Sequence, residues 1–342
     1  MSLKNLSVAT KIPKLFNDKL KNKKIRQIYK KFENSLEVKE KFAVAVSGGP
    51  DSLALAFLSK IYSIKNKLTS RFYVIDHKLR TESTKEAKKV KRVLKKYQIN
   101  AQILTWRGKK PIKKIQSTAR KKRYDLLFNQ CDKLGINYIL LGHHQDDLIE
   151  NFFIRMLRGS GLKGLISLDQ KSKIKNKQLL RPLLNQKKDD LRFLSKHAFN
   201  FYVEDPSNKD EKYLRIVIRK LIDELQKNGL DKDKILNTIK NLKHSNSIIN
   251  FYLNENLQKN TFFNAKEKKF SINQKFFEQP HEIIFRSLTI LINLIGNKYH
   301  SVRGKKIDNL INSIENDSLI KATLGGCVIE KVNHTVIISK EY

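Results

Sequence analysis

AVAVSGGPDSLALAFL, residues 43–58, is the stretch whose reading decides the fold. With Phe42 in front, FAVAV is a short apolar run of strand character, and LALAFL after the turn opens a helix. Between them lies SGGPDS. The backbone N–H groups of Ser47, Gly48 and Gly49 can converge on a phosphate, because glycine permits both a tight turn and a close approach. Pro50 suits the first helical turn, where its missing N–H is no loss. Ser52 adds a hydroxyl, and the helix dipole favours an anion. The loop has no lysine, unlike GxxxxGK[ST], which holds the β and γ phosphates. It carries Asp51 instead, and a carboxylate beside a phosphate needs a cation between them. Mg²⁺ is the natural mediator, with Asp51 its expected ligand. A Gly-Gly turn with an aspartate cap is the plain structural alternative, but strand, SGGPDS and helix together argue for an anion site.

Composition bounds the rest. The 342 residues suffice for two domains, each with a core. Hydrophobic content of 40% is ordinary, so the chain is globular and not a disordered polycation. Charge is not ordinary: 70 Lys+Arg against 33 Asp+Glu gives a formal net charge of +37. Part of this is a lysine-rich composition with solvated faces. An excess so one-sided nonetheless points to a polyanion, nucleic acid before membrane. The first residues have no continuous apolar core of a secretory signal, and no run approaches the ~18 apolar residues of a membrane span. Cys131 and Cys327 form no CxxC and are read as structural thiols in a reducing cytoplasm.

From about 41 to 204, β-rich runs alternate with helical stretches: FAVAV, FYVIDH, AQILTW, NYILLGHH and FNFYVEDP. That alternation predicts an α/β fold, an open parallel sheet with helices on both faces, over residues 37–225. Helices are expected at 51–65, 83–97, 115–134, 145–158 and 187–197. Residues 1–36 read as a basic leader and a helix. Residues 226–342 read as a smaller, mainly helical α+β domain, with helices at 231–259 and 275–296 and terminal strands.

A strand, SGGxDS and helix in succession resemble the PP-loop of N-type ATP pyrophosphatases, which cleave ATP between the α and β phosphates. Further stretches narrow the resemblance: VIDHKLR (74–80), TARKKRYDLL (118–127), LGHHQDDLIENFFIRMLRGSGLKGL (141–165), RPLL (181–184) and VEDPSNKDEKYLRIVIR (203–219). Together they look like the tRNA(Ile)-lysidine synthase family, with its SGGxDS, DHxLR, ARxxRY, HHxDDxxET, LRGSG, RPLL and EDPSN. Asn151 stands where that family usually has Thr, and Ile216 where Asn commonly follows an Arg. The resemblance covers about 41–220, and a single domain after it resembles the family's shorter form.

The resemblance implies a reaction. ATP activates the C2 carbonyl oxygen of the wobble cytidine in a CAU anticodon of tRNA(Ile), and the ε-amine of free L-lysine displaces AMP. Lysine arrives protonated, and losing that proton at neutral pH costs roughly 4–5 kcal/mol. The site must therefore hold a cation and accept or relay a proton. HHQDDLIE offers the parts. Asp147 and Glu150, three apart on a helix, share a face, and Asp146 and Glu150, four apart, are also neighbours. Asp147 and Glu150 are assigned to the lysine ammonium, with Asp146 in reserve. Acids at a helix start are also simply dipole-favoured. His143 and His144 at the strand end orient phosphate or carboxylate, one of them being structural. Asp76 and His77 end the second strand, facing the crevice of an open α/β sheet. Arg120, Arg123, Arg215 and Arg219 are candidates for phosphate and tRNA backbone, with Arg120 also catalytic. The basic second domain is assigned to docking tRNA, and a homodimer is left open.

Two alternatives stay open at this stage. A tRNA thiolase with the same loop would need sulfur-relay cysteines, usually paired. A non-enzymatic RNA-binding protein would explain the charge but not the acid cluster or SGGPDS.

Overall fold

The structure is a computed structural model that describes residues 12–108, 115–204, 212, 214–296 and 302–341. The leader residues 1–11 and most of the EDPSN stretch (205–211 and 213) lie outside the described residues. The chain divides into two compact units, Met1–Ile239 and Lys240–Tyr342.

The first unit is built on alternation. Strands β1 (Phe42–Val46), β2 (Ser70–Asp76), β3 (Ala101–Thr105) and β4 (Tyr138–Leu140) are mutually parallel, and β4 continues in parallel to β6 (Lys177–Leu180). An antiparallel edge strand, β5 (Lys171–Ile174), completes the order β3-β2-β1-β4-β6-β5. Phe42, Val44, Phe72, Val74 and Ala101 point into one apolar core, while Ala43, Tyr73 and Leu104 point into another. A period of two thus gives the sheet two buried faces.

One face is covered by α1 (Lys14–Leu20), α2 (Lys23–Asn34), α3 (Pro50–Lys65), α4 (Ser83–Lys96) and α8 (Lys188–Phe199), whose apolar residues share the first core. The other is covered by α5 (Ile115–Lys133) through Leu127, Phe128 and Cys131. In α2 the buried residues are Ile25, Ile28, Tyr29 and Phe32, a helical stripe, and the Asn22 side chain accepts from the N–H groups of Lys24 (3.0 Å) and Ile25 (3.2 Å). Three further helices follow or interrupt the strands: α6 (Gln145–Met156), α7 (Leu162–Leu165) and α9 (Leu214–Lys227).

One sequence expectation fails here. The described part of FNFYVEDP is not a strand: α8 runs through Phe199, Asn200 ends it in the left-handed region (φ 49°), and residues 201–204 join no sheet. Its Val203 N–H donates to the Gly48 carbonyl at 2.9 Å, so the segment braces the glycine loop instead. The fifth parallel strand is KQLL, too short and too polar at its start to announce itself.

The second unit holds most of α10 (Lys232–Asn260) and a five-stranded antiparallel sheet. Its strands are β7 (Thr261–Asn264), β8 (Lys269–Ile272), β9 (Lys321–Leu324), β10 (Cys327–Val332) and β11 (Thr335–Lys340), in the order β7-β8-β11-β10-β9. Helices α11 (His281–Gly296) and α12 (Gly304–Glu315) bury Leu288, Ile292, Ile307 and Ile311 with Ile329 and Ile338 of this sheet. The helix expected over 275–296 is split: a 3-10 turn at Gln274–Glu278 precedes α11, with Pro280 at the break. The smaller unit is thus α+β, as expected, with more strand than the terminal run alone suggested.

Candidate active site

The strand order reverses between β1 and β4, so the crevice at their carboxyl ends is where an open α/β sheet places its ligand. SGGPDS follows β1, and LGHHQDD follows β4. Gly142 lets the two meet: a Cβ there would lie 3.3 Å from the Asp51 carbonyl carbon and oxygen and from the Ser52 Cα.

The loop is held from inside. Gly49 caps α3, and Pro50 occupies its first turn. The Ser52 hydroxyl accepts from the N–H groups of Ser47 and Gly48, each at 3.1 Å, and donates to the Gly49 carbonyl at 2.9 Å. Two of the amides expected to face a phosphate thus engage Ser52, while the first turn of α3 keeps its own N–H groups. Gly48 sits at φ +93°, and a Cβ there would meet Val90 Cγ2 of α4 at 2.6 Å. Its side-chain-free backbone is required on both counts.

Asp51 rises from this turn beside the other strand end. Its Oδ2 lies 3.5 Å from His144 Nε2, and its Oδ1 is buried with no hydrogen-bond partner among the described residues. Such an oxygen fits a cation ligand. No cluster of three or more His, Cys, Asp or Glu capable of holding a metal occurs among the described residues, so an ion here would need phosphate oxygens as well. That donor set suits Mg²⁺, which keeps few protein ligands and shares the rest with substrate phosphates and water.

His144 is the N-cap of α6. Its Nδ1 accepts from the Asp146 N–H at 3.2 Å, and Asp147 Oδ2 accepts from the His144 N–H at 3.0 Å. The cap uses the Nδ1 lone pair, which leaves the proton on Nε2, between Asp51 Oδ2 and Asp147 Oδ2 (3.6 Å). Burial lowers the His144 pKa, yet the net shift is upward because Asp51 and Asp147 favour charge. With Nδ1 occupied as a cap, the neutral Nε2–H form is the one this geometry holds. The pKa of Asp147 is lowered: burial opposes ionisation, and the His144 N–H and the Arg215 charge are among the groups that favour it.

His143 differs. Its Nδ1 is buried without a partner among the described residues, and burial pushes its pKa down to about 4. The charges acting on it are Asp147, Arg181, Arg120 and Arg215. Arg181, from RPLL, is 6% exposed and donates to the Asp169 carbonyl (2.8 Å) and Ser172 Oγ (3.0 Å). Arg120 and Tyr124 stack on α5, guanidinium carbon to ring centroid 5.5 Å.

Glu150 is not a free carboxylate. It is 2% exposed, with Oε1 accepting from Arg219 Nε (2.5 Å) and Oε2 facing Arg219 Nη2 (3.3 Å) and Arg215 Nε (3.1 Å). Burial raises its pKa against both arginines. It ties α6 to α9, and Arg215 and Arg219 are correspondingly half-committed to it. Asp146 remains accessible and receives the Lys232 ammonium at 3.5 Å. The departures from the expected motif are quiet: Asn151 donates to Ser167 Oγ (3.2 Å), and Ile216 is buried.

Asp76 also turns inward. It is 1% exposed and accepts from Lys78 N–H (3.0 Å), Ser83 Oγ (2.9 Å) and Thr84 Oγ1 (2.7 Å), so it fixes the β2–α4 turn. His77 follows it into an open depression of about 350 Å³ shared with Lys78, Trp106, Arg107 and Gly108. Burial, then the Arg123 charge, lowers the His77 pKa to about 4. Sequence reading missed the caging hydroxyl of Ser52 and the cap made by His144. Only the HH doublet signalled the second.

The glycine loop without lysine, at the switch point of this sheet, defines a PP-loop protein, and the PP-loop domain family model matches residues 18–225. The tRNA(Ile)-lysidine synthase of Wolbachia pipientis wMel is 34% identical over 307 residues, covering 87% of this chain and 70% of that protein. That of Orientia tsutsugamushi (strain Boryong) is 34% identical over 318 residues, covering 90% and 71%. This chain belongs to the tRNA(Ile)-lysidine synthase family. Among solved structures, the U34-tRNA thiolase NcsA from Methanococcus maripaludis, with its 4Fe-4S cluster, is similar at a TM-score of 0.56 and 19% identity. That likeness covers 65% of this chain and 79% of that one, and it bears on the fold alone.

Proposed function

We propose that this chain forms lysidine: it uses ATP to join the ε-amine of free L-lysine to C2 of the wobble cytidine in the CAU anticodon of tRNA(Ile). In the first step the cytidine C2 oxygen attacks the α phosphorus of ATP, and pyrophosphate leaves. In the second, the lysine amine bonds to C2 and AMP leaves with that oxygen. The observation that carries this reading is the meeting of Asp51, with its unpartnered Oδ1, and the histidine-acid strand end across one crevice.

The residues divide the work. The first turn of α3, which opens at Gly49 behind the loop, presents its helix dipole to the pyrophosphate end of ATP. Asp51 would hold Mg²⁺, which, when bound, offsets the charge of the departing pyrophosphate. His144 orients Asp51 through Nε2. Arg120 and Arg181, whose charges act on His143 from two different elements, are assigned to the developing phosphate charge. Arg215 and Arg219, which grip Glu150 and stay partly exposed, are assigned to the anticodon backbone.

For lysine, we shift the sequence assignment. Glu150 positions Arg215 and Arg219, and the ammonium goes to Asp146 and Asp147, the first of which already accepts one from Lys232. His143, neutral at pH 7 and with Nδ1 unpartnered among the described residues, is assigned to relay the proton that lysine must lose.

No described helix is long and apolar enough to cross a membrane. We place the reaction in the cytoplasm, with ATP, lysine and tRNA. The basic second unit is proposed to dock the tRNA body. Sulfur transfer gains no support: Cys131 is buried, with its pKa raised to about 11 by that burial, so no thiolate is available there.

The test is pyrophosphate release from ATP. It should require a CAU-anticodon transcript and proceed without lysine for a single turnover. Release that ignores tRNA would remove the reading.

A further inference from the structure

Helix α4 carries a concentration of charge that the site does not use. Of its 14 residues, Lys85, Lys88, Lys89, Lys91, Arg92, Lys95 and Lys96 are basic and exposed. Its single acid, Glu86, is half-buried and bonded to Arg80 at 2.9 Å. Lys85 lies near Glu82 (3.6 Å), and Lys89 covers the Phe201 ring (4.9 Å). Among the described residues, Lys88, Lys91, Arg92, Lys95 and Lys96 have no ion pair.

These five recur at i, i+3, i+4, i+7 and i+8, so they form one stripe of three tiers about 5.4 Å apart. Like charges at these spacings repel, and a merely solvated face intersperses acids. Apolar residues Ala87, Val90 and Leu94 fill the opposite side, so the stripe cannot turn away from solvent.

The helix is also tied to the crevice. Ser83 and Thr84 at its start bond both oxygens of Asp76, and Val90 packs on Gly48. It then runs back along the sheet for about 20 Å, at 1.5 Å per residue.

We infer that the Lys88–Lys96 stripe of α4 is a rail for the sugar-phosphate backbone of the tRNA stem, leading from the crevice that receives the anticodon. Charge complementarity selects the occupant: a regular polyanion spanning several phosphates, contacted without base readout. This rests on the function proposed above, and it adds where the stem lies.

The experiment uses the full chain and a CAU-anticodon transcript. Lys88→Gln, Arg92→Gln and Lys95→Gln are combined, and a control combines Lys173→Gln, Lys175→Gln and Lys187→Gln, which remove equal charge elsewhere on the same unit. Filter binding should show the α4 variant weaker by roughly 10- to 100-fold near physiological salt, with its log Kd against log salt slope lower by about 2 to 3. The control should stay within a few fold. The KM for tRNA should rise while the KM for ATP and the melting temperature hold. Equal losses in both variants would reduce the stripe to general field and overturn the rail, as would unchanged RNA affinity with lost binding to phosphatidylserine vesicles. Absence of lysidine with the unsubstituted chain would instead sink the function and leave the RNA-binding comparison readable.

Discussion

His144 Nε2 lies 3.5 Å from Asp51 Oδ2, joining the glycine loop after β1 to the strand end after β4. The same imidazole caps α6 through Nδ1, so one ring fixes a helix start and a carboxylate. His144→Asn should keep a side-chain cap, since asparagine caps well, while releasing Asp51. Its melting temperature should stay close to that of the unsubstituted chain, and its adenylation rate should fall at least tenfold. His144→Ala should add about 0.5–2 kcal/mol of lost stability. Full activity in the asparagine variant would make the contact structural only.

Asp51→Ala should remove ATP-dependent AMP release, by about a hundredfold or more, as when a preorganised electrostatic group is lost. Affinity for tRNA, measured by filter binding, should change little, because Asp51 is assigned to the cation and not to RNA.

Gly48→Ala should raise the KM for ATP and destabilise the unit by roughly 1–3 kcal/mol, since φ +93° and the 2.6 Å approach to Val90 both oppose a Cβ. Adding Val90→Ala removes the clash but not the strained φ, so it should restore part of the stability. Complete rescue, read by urea unfolding, would show that packing alone demands glycine there.

The acids should separate by step. Asp146→Asn and Asp147→Asn should raise the KM for lysine by roughly 10- to 150-fold, one charge-assisted contact being worth about 1.5–3 kcal/mol, while tRNA adenylation continues. Glu150→Gln should behave differently, weakening stability and both steps, because it leaves Arg215 and Arg219 without their buried partner. Trapping adenylated tRNA and then titrating lysine distinguishes them. If the two aspartate variants lose adenylation with lysine dependence unchanged, these acids serve the metal.

Stability should fall as pH drops from about 6.5 towards 4. Burial holds His143 and His77 at pKa values of about 4, below the unfolded value near 6.5. In that window the unfolded chain binds the extra protons, so stability rises with pH, by up to about 1.4 kcal/mol per pH unit for each proton. His143→Asn should flatten the slope measured by urea unfolding between pH 4.5 and 6.5. An unchanged slope would show that His143 titrates normally.

Much of this was legible in the chain. FAVAV, SGGPDS and the helix after it occupy their expected places because period-two alternation, glycine and proline act locally. HHQDD runs from a strand end into a helix, as its sequence suggested, and its meeting with Asp51 depends on the fold. The rest depends on distant partners. FNFYVEDP has strand composition, yet its Val203 N–H finds Gly48 and not a ladder. Glu150 and Asp147 share a helix face by spacing, but the arginines that neutralise Glu150 come from 65 and 69 residues further along. No local pattern announces that pairing, or the inward turn of Asp76.

The central claim is that this crevice adenylates a wobble cytidine and passes it to lysine. The most direct measurement is incubation of the full chain with ATP, isotopically labelled L-lysine and a CAU-anticodon transcript, followed by digestion and nucleoside mass spectrometry. The account predicts one labelled lysidine per modified tRNA at the wobble position, with AMP and pyrophosphate formed in equal amounts. A wobble nucleoside that gains sulfur, or stays cytidine while ATP is consumed, would contradict it.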